Sequence, residues 1–194
     1  MKFSVEAVKQ AQLLLREEKI TRLPVNPYNI AKKRGWGPVF YLHRTSLKSY
    51  VRRGFINEAT NKIYINEIAR NEEEKRWTGA HELGHMVCHK GKYTPQELWD
   101  PRIRGKLERE ANDFAAELLA PIALLKLLGV TRCYDIAYIC EISLRAAKRR
   151  EREIEEWGHL PVFMDAQLWM RSQFGEYLEE MFDLWSKKRS WRII

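Results

Sequence analysis

Residues Trp77 to Lys90 read WTGAHELGHMVCHK and hold the run His81-Glu82-Leu83-Gly84-His85. On a helix, positions four apart share a face, so His81 and His85 can reach one metal ion. Two imidazoles suit Zn2+, which takes nitrogen ligands at about 2.0–2.1 Å. A catalytic zinc keeps one position open for water and lowers that water's pKa to about 7. Glu82 is then placed to take the proton as the water attacks a carbonyl. The plain alternative is a helix with two solvated or hydrogen-bonded histidines. Ala80, Leu83, Met86 and Val87 flank the pair and favour a buried helix over a solvated rod. His89 repeats the four-residue step, but positions 81 and 89 lie about 12 Å apart along a helix axis, too far for one zinc. His89 is expected to pack at the helix end, where a positive group suits the C-terminal dipole.

A third ligand has to come from elsewhere, and the stretch 107–121, LEREANDFAAELLAP, offers candidates. It reads as a second helix that stops before Pro121. Glu108 shares a face with Ala111, Asn112 and Ala115, and the small residues allow close approach to the first helix. Asn112, one turn on, can hydrogen-bond and orient a ligand histidine. Glu110 is the rival ligand; its face carries Asp113, Phe114 and Glu117 and reads as more exposed. Without a metal, Glu108 is a solvated carboxylate favoured near a helix start.

AHELGH followed by ExxANxFAxxLLAP resembles the ImmA/IrrE family of zinc metallopeptidases, over roughly residues 4 to 157. The resemblance implies that His81, His85 and Glu108 bind zinc and that Glu82 is the catalytic base. Two positions depart from the usual pattern. Trp77-Thr78-Gly79 stands where Phe-Thr commonly precedes the Ala-His, and Ala120 replaces a common Met before the Pro. Neither touches the metal. The resemblance also implies a protein substrate, commonly a helix-turn-helix repressor encoded nearby, often in a mobile element.

The chain has 194 residues, 45% hydrophobic and 31% charged, a globular rather than a disordered composition. No apolar run approaches the roughly 20 residues of a membrane span. Glu6 and its polar neighbours stand where a signal peptide would be apolar, so a cytoplasmic protein is expected. Cys88, Cys133 and Cys140 are odd in number and lack CxxC spacing, which argues against a disulfide framework or a cysteine zinc site. A net charge of +8 permits attraction to nucleic acid or an acidic partner. The basic residues are dispersed and no recognition motif is present, so direct nucleic-acid binding is not expected.

The scaffold around the motifs reads as an amphipathic helix from Val5 to Lys19 and a short helix from Tyr28 to Arg34. Strands are expected at 39–42, 54–57 and 62–66, forming a small antiparallel sheet. The strand ending in Tyr64-Ile65-Asn66 is taken as the edge beside the metal helix, with Tyr64 and Ile65 binding an extended substrate. Thr94-Pro95-Gln96-Glu97 reads as a capping box opening a short helix near Tyr93, Trp99 and Arg102, any of which could border the cleft; packing is expected for Trp99. A helix from Ser143 to Trp157 follows, with Arg149-Arg150-Glu151-Arg152-Glu153 as a mostly solvated face. From 166 to 187 apolar residues recur at helical spacing, broken at Gly175. That stripe packs on its own core or offers a partner or dimer surface.

The fold expected is α+β: a mostly helical, zincin-like metallopeptidase domain (1–158) with a small antiparallel sheet and a C-terminal helical extension (159–194). The function expected is zinc-dependent hydrolysis of a peptide bond in a protein partner. Two competitors stand beside it. One is a non-catalytic zinc-binding regulator that binds a transcription factor or nucleic acid; the other is a toxin–antitoxin component.

Overall fold

A computed structural model describes residues 3–42, 53–67, 71–94 and 96–190. Several of its helices begin where a side chain satisfies free backbone N–H groups. Ser4 caps α1 (Val5–Glu17), its hydroxyl accepting from the Ala7 N–H at 3.3 Å. Asn26 caps α2 (Pro27–Lys33). Asn71 caps α3 (Glu72–Cys88), accepting from the Glu74 N–H at 2.8 Å, with three glutamates in the positive first turn. Thr94 and Glu97 do form the capping box, Thr94 N–H donating to Glu97 at 2.7 Å. It opens only a 3-10 turn, Glu97–Trp99. Asp100 then caps α4 (Pro101–Leu119), which therefore starts earlier than the sequence suggested.

Helix α4 lies between α3 and α1. Its contact with α3 is made at small residues. A Cβ placed on Gly84 would stand 3.1 Å from the Ala111 Cα and 3.1 Å from the Phe114 ring, so the two backbones meet where only a hydrogen fits. Five helices follow: α5 (Ile122–Leu128), α6 (Cys133–Cys140), α7 (Leu144–Trp157), α8 (Pro161–Gln173) and α9 (Gly175–Ser190). Ile65, Leu83, Phe114, Leu118, Leu124, Ile136, Phe163 and Phe174 all belong to one buried cluster. Within 166–187, Met170, Phe174, Tyr177 and Leu178 are buried in that cluster, while Leu168, Phe182 and Leu184 are exposed. The three cysteines are free and buried.

The sheet differs from expectation in topology. Strands β1 (Val39–Tyr41), β2 (Gly54–Asn57) and β3 (Lys62–Asn66) are ordered β1-β3-β2. β2 and β3 form the expected antiparallel hairpin, Phe55 opposite Tyr64, but β1 runs parallel to β3, Val39 opposite Tyr64. The sheet is mixed, and β3 is its centre. Tyr64 and Ile65 thus lie on a strand hydrogen-bonded on both sides, which cannot offer an edge to a peptide. Among the described residues, the edge beside α3 is β2.

Two further expectations fail for one reason. The α4 face holding Asp113, Phe114 and Glu117 is buried, not exposed, and so are Arg150 and Glu153 of α7. These charges pair inside the protein. Arg150 lies 3.5 Å from Glu117 and 3.2 Å from Glu153. Arg149 reaches Asp113 at 2.9 Å, and Gln12 of α1 donates to Glu117 at 3.0 Å. Removing one partner from such a group strands a buried charge, so the network ties α1, α4 and α7 together. Trp99 is 77% exposed rather than packed.

Candidate metal centre

The second half of α3 carries His81, Glu82 and His85, and its burial against α4 and the sheet fixes their direction. The ring nitrogens His81 Nε2 and His85 Nε2 lie 3.1 Å apart. Glu108 reaches from α4 with Oε2 at 3.3 Å from His81 Nε2 and Oε1 at 3.5 Å from His85 Nε2. Four tetrahedral ligands at about 2.0–2.1 Å from a zinc ion sit about 3.3–3.4 Å from one another. The three spacings observed have that size, so the donor set fits a small tetrahedral cation. Among the described residues, these three form the one His/Cys/Asp/Glu group whose ligand atoms fall within 4.8 Å of each other.

The ligands are held from behind. The Asn112 carboxamide oxygen lies 3.1 Å from His81 Nδ1. It accepts the Nδ1 proton and so leaves Nε2 bare toward the site. His85 Nδ1 faces His89 Nδ1 at 3.0 Å, and His89 Nε2 faces Glu110 at 3.1 Å. Glu110 is engaged with His89 and stands outside the three-ligand cluster, which separates it from Glu108. His89 is buried, and burial followed by the neighbouring His85 lowers its pKa. Burial thus works against the cation expected at a helix end.

Electrostatics couple Glu108 to the histidines. Hydrogen bonds to His81 and then His85 hold its carboxyl well below the usual carboxylate range. For His81, burial disfavours the charge, but the bond to Glu108 and the nearby Glu82 carboxylate outweigh it and raise the pKa.

Glu82 is 6% exposed and lies against β2. A Cβ on Gly54 would stand 2.9 Å from Glu82 Oε1 and 2.8 Å from the Thr78 methyl, so the strand passes close because residue 54 has no side chain. Sequence reasoning read 54–57 as a strand and missed this role; the signal was a glycine inside a strand pattern, a mark of close approach. The three ligands and Glu82 open into a cleft of about 680 Å3 bordered by Arg53 to Ile56 on one side and by Leu107, Glu108 and Asn112 on the other. Tyr93 lines it; Trp99 and Arg102 do not.

An HExxH helix, a carboxylate from the next helix and a strand edge beside them define a metallopeptidase-type site. The model of the IrrE N-terminal-like domain, a peptidase family, matches residues 18–156, and the chain belongs to that family. No curated protein and no solved structure matches the chain. Among the described residues, no helix is long and apolar enough to cross a membrane.

Proposed function

We propose that the chain is a zinc-dependent endopeptidase that cuts a protein partner, with a helix-turn-helix transcriptional repressor encoded nearby as its substrate. The observation that carries the peptidase reading is the convergence of His81 Nε2, His85 Nε2 and Glu108 at tetrahedral spacing beside a buried Glu82. When bound there, Zn2+ supplies Lewis-acid polarisation of a carbonyl and acidifies water. His81, His85 and Glu108 would hold it. Glu82 accepts a proton from the attacking water and returns it to the departing amine. Asn112 keeps His81 in the ligating tautomer. The β2 edge, not Tyr64 or Ile65 of β3, would take an extended substrate as an added strand, leading it past the ligands. The repressor substrate rests on the ImmA/IrrE resemblance.

Glu82→Gln is the test. It keeps size and one acceptor oxygen but cannot take up the proton. Cleavage of the neighbouring regulator should fall by about 10^2–10^4-fold, with zinc content unchanged. Undiminished cleavage would remove Glu82 as the base, and a cellular function that survives lost cleavage would favour a binding role instead.

A further inference from the structure

The chain His85–His89–Glu110 lies behind one metal ligand, and its proton positions follow from its partners. An ionised carboxylate only accepts, so Glu110 requires a proton on His89 Nε2, 3.1 Å away. The Nε2-protonated tautomer of His89 has a bare Nδ1. That nitrogen faces His85 Nδ1 at 3.0 Å. Two bare or two protonated nitrogens at that distance would repel, so His85 Nδ1 carries the proton and donates it. His85 Nε2 is left bare, and it is the nitrogen that lies 3.1 Å from His81 Nε2 and 3.5 Å from Glu108.

We propose that His89 and Glu110 are positioning residues that lock His85 in its ligating tautomer and orientation, a histidine-mediated counterpart of the direct Asn112–His81 contact. The proposal rests on the metal-binding reading of the site. It assigns to α4 three separate duties within one turn and a fraction: Glu108 in the donor set, Asn112 behind one histidine, and Glu110 behind the other through an intermediate ring. It also explains why a histidine that cannot reach the cation is buried at the end of α3, at 7% exposure, rather than an apolar residue. Carboxylates and amides behind ligand histidines raise ligand basicity and fix ring orientation; a second imidazole carries the same influence one ring further.

The experiment compares wild type, His89→Gln, His89→Leu and Glu110→Ala in the full chain. Zn2+ affinity is read by competition with a chromophoric chelator, and ring 15N shifts of the zinc-loaded wild type give the tautomers. Expected are His85 protonated on Nδ1 and His89 protonated on Nε2. His89→Leu should weaken Zn2+ binding about 10–100-fold. His89→Gln, whose amide oxygen can accept from His85 Nδ1, should recover most of that loss, which restored packing alone would not achieve. Glu110→Ala should leave His89 in mixed tautomers. A wild-type His89 protonated on Nδ1 would overturn the relay even if His89→Leu failed to fold. So would wild-type affinity in a folded His89→Leu. Wild type that binds neither Zn2+ nor Co2+ would instead remove the metal reading itself, and the relay with it.

Discussion

Gly84 of α3 meets Ala111 of α4 so closely that a Cβ at position 84 would stand 3.1 Å from the Ala111 Cα. The contact lies between His85 and the turn after Glu108, so it sets the separation of the two helices that carry the candidate ligands. Gly84→Ala should push them apart by a few tenths of an ångström. Overpacking of this kind costs about 1–3 kcal/mol. The expected outcome is a lower melting temperature together with weaker Zn2+ binding; an unchanged affinity would show that the helix spacing is not what gathers the ligands.

Gly54 and Glu82 form the corresponding contact on the other side of α3. A methyl at 54 would lie 2.9 Å from Glu82 Oε1, so the carboxylate must turn away. The three atoms nearest such a methyl belong to Thr78 and Glu82, not to the candidate ligands. Gly54→Ala should therefore lower the rate of peptide hydrolysis by at least about tenfold while zinc content stays at the wild-type level. Loss of rate and metal together would mean that β2 supports the ligands and not only the base.

Asn112→Ala removes the acceptor for His81 Nδ1. The freed ring can rotate and can carry its proton on Nε2, where the cation should bind. Metal affinity should drop about 10–100-fold. Isothermal titration of the metal-free protein with Zn2+ measures it, and Asn112→Asp, which restores an acceptor, should recover affinity.

Local chemistry was legible in the sequence; long-range pairing was not. His81, Glu82 and His85 follow from helical spacing within one stretch, Glu108 is set apart from Glu110 only by the family resemblance, and Asn71 and Thr94 announce their caps by residue type. The place of β1 does not follow from such cues. It pairs directly and in parallel with β3, skipping β2, which comes between them in sequence, and no turn residue encodes that choice. Arg150 and Glu153 read as a solvated face because alternating charges at helical spacing usually are one. Their burial depends on Glu117 and Gln12, which lie on distant helices. His89 misled for the same reason: its helix-end position suggested a cation, whereas its partner Glu110 comes from another helix.

Acidity should act on the protein in two opposed ways. In the metal-free chain, burial raises the Glu117 carboxyl to about 7. The folded state then holds that proton more tightly than the unfolded chain, so stability falls as pH rises between about 4.3 and about 7. His81, also raised, contributes stability that is complete below about 6.5 and is lost as pH climbs through its folded value. Glu108, held low, contributes above about 4.3 and loses its share only as pH falls through its folded value, far below this range. Metal-free protein should therefore melt at a lower temperature at about pH 8 than at about pH 5.5, and Glu117→Gln should flatten the difference. Zinc reverses the trend at the site. A cation must displace the His81 proton, so affinity, and with it the rise in melting temperature at saturating Zn2+, should grow over the same interval. Melting curves with chelator and with Zn2+ at both pH values separate the two effects. A zinc-induced shift larger at the acid end would contradict ligation by His81.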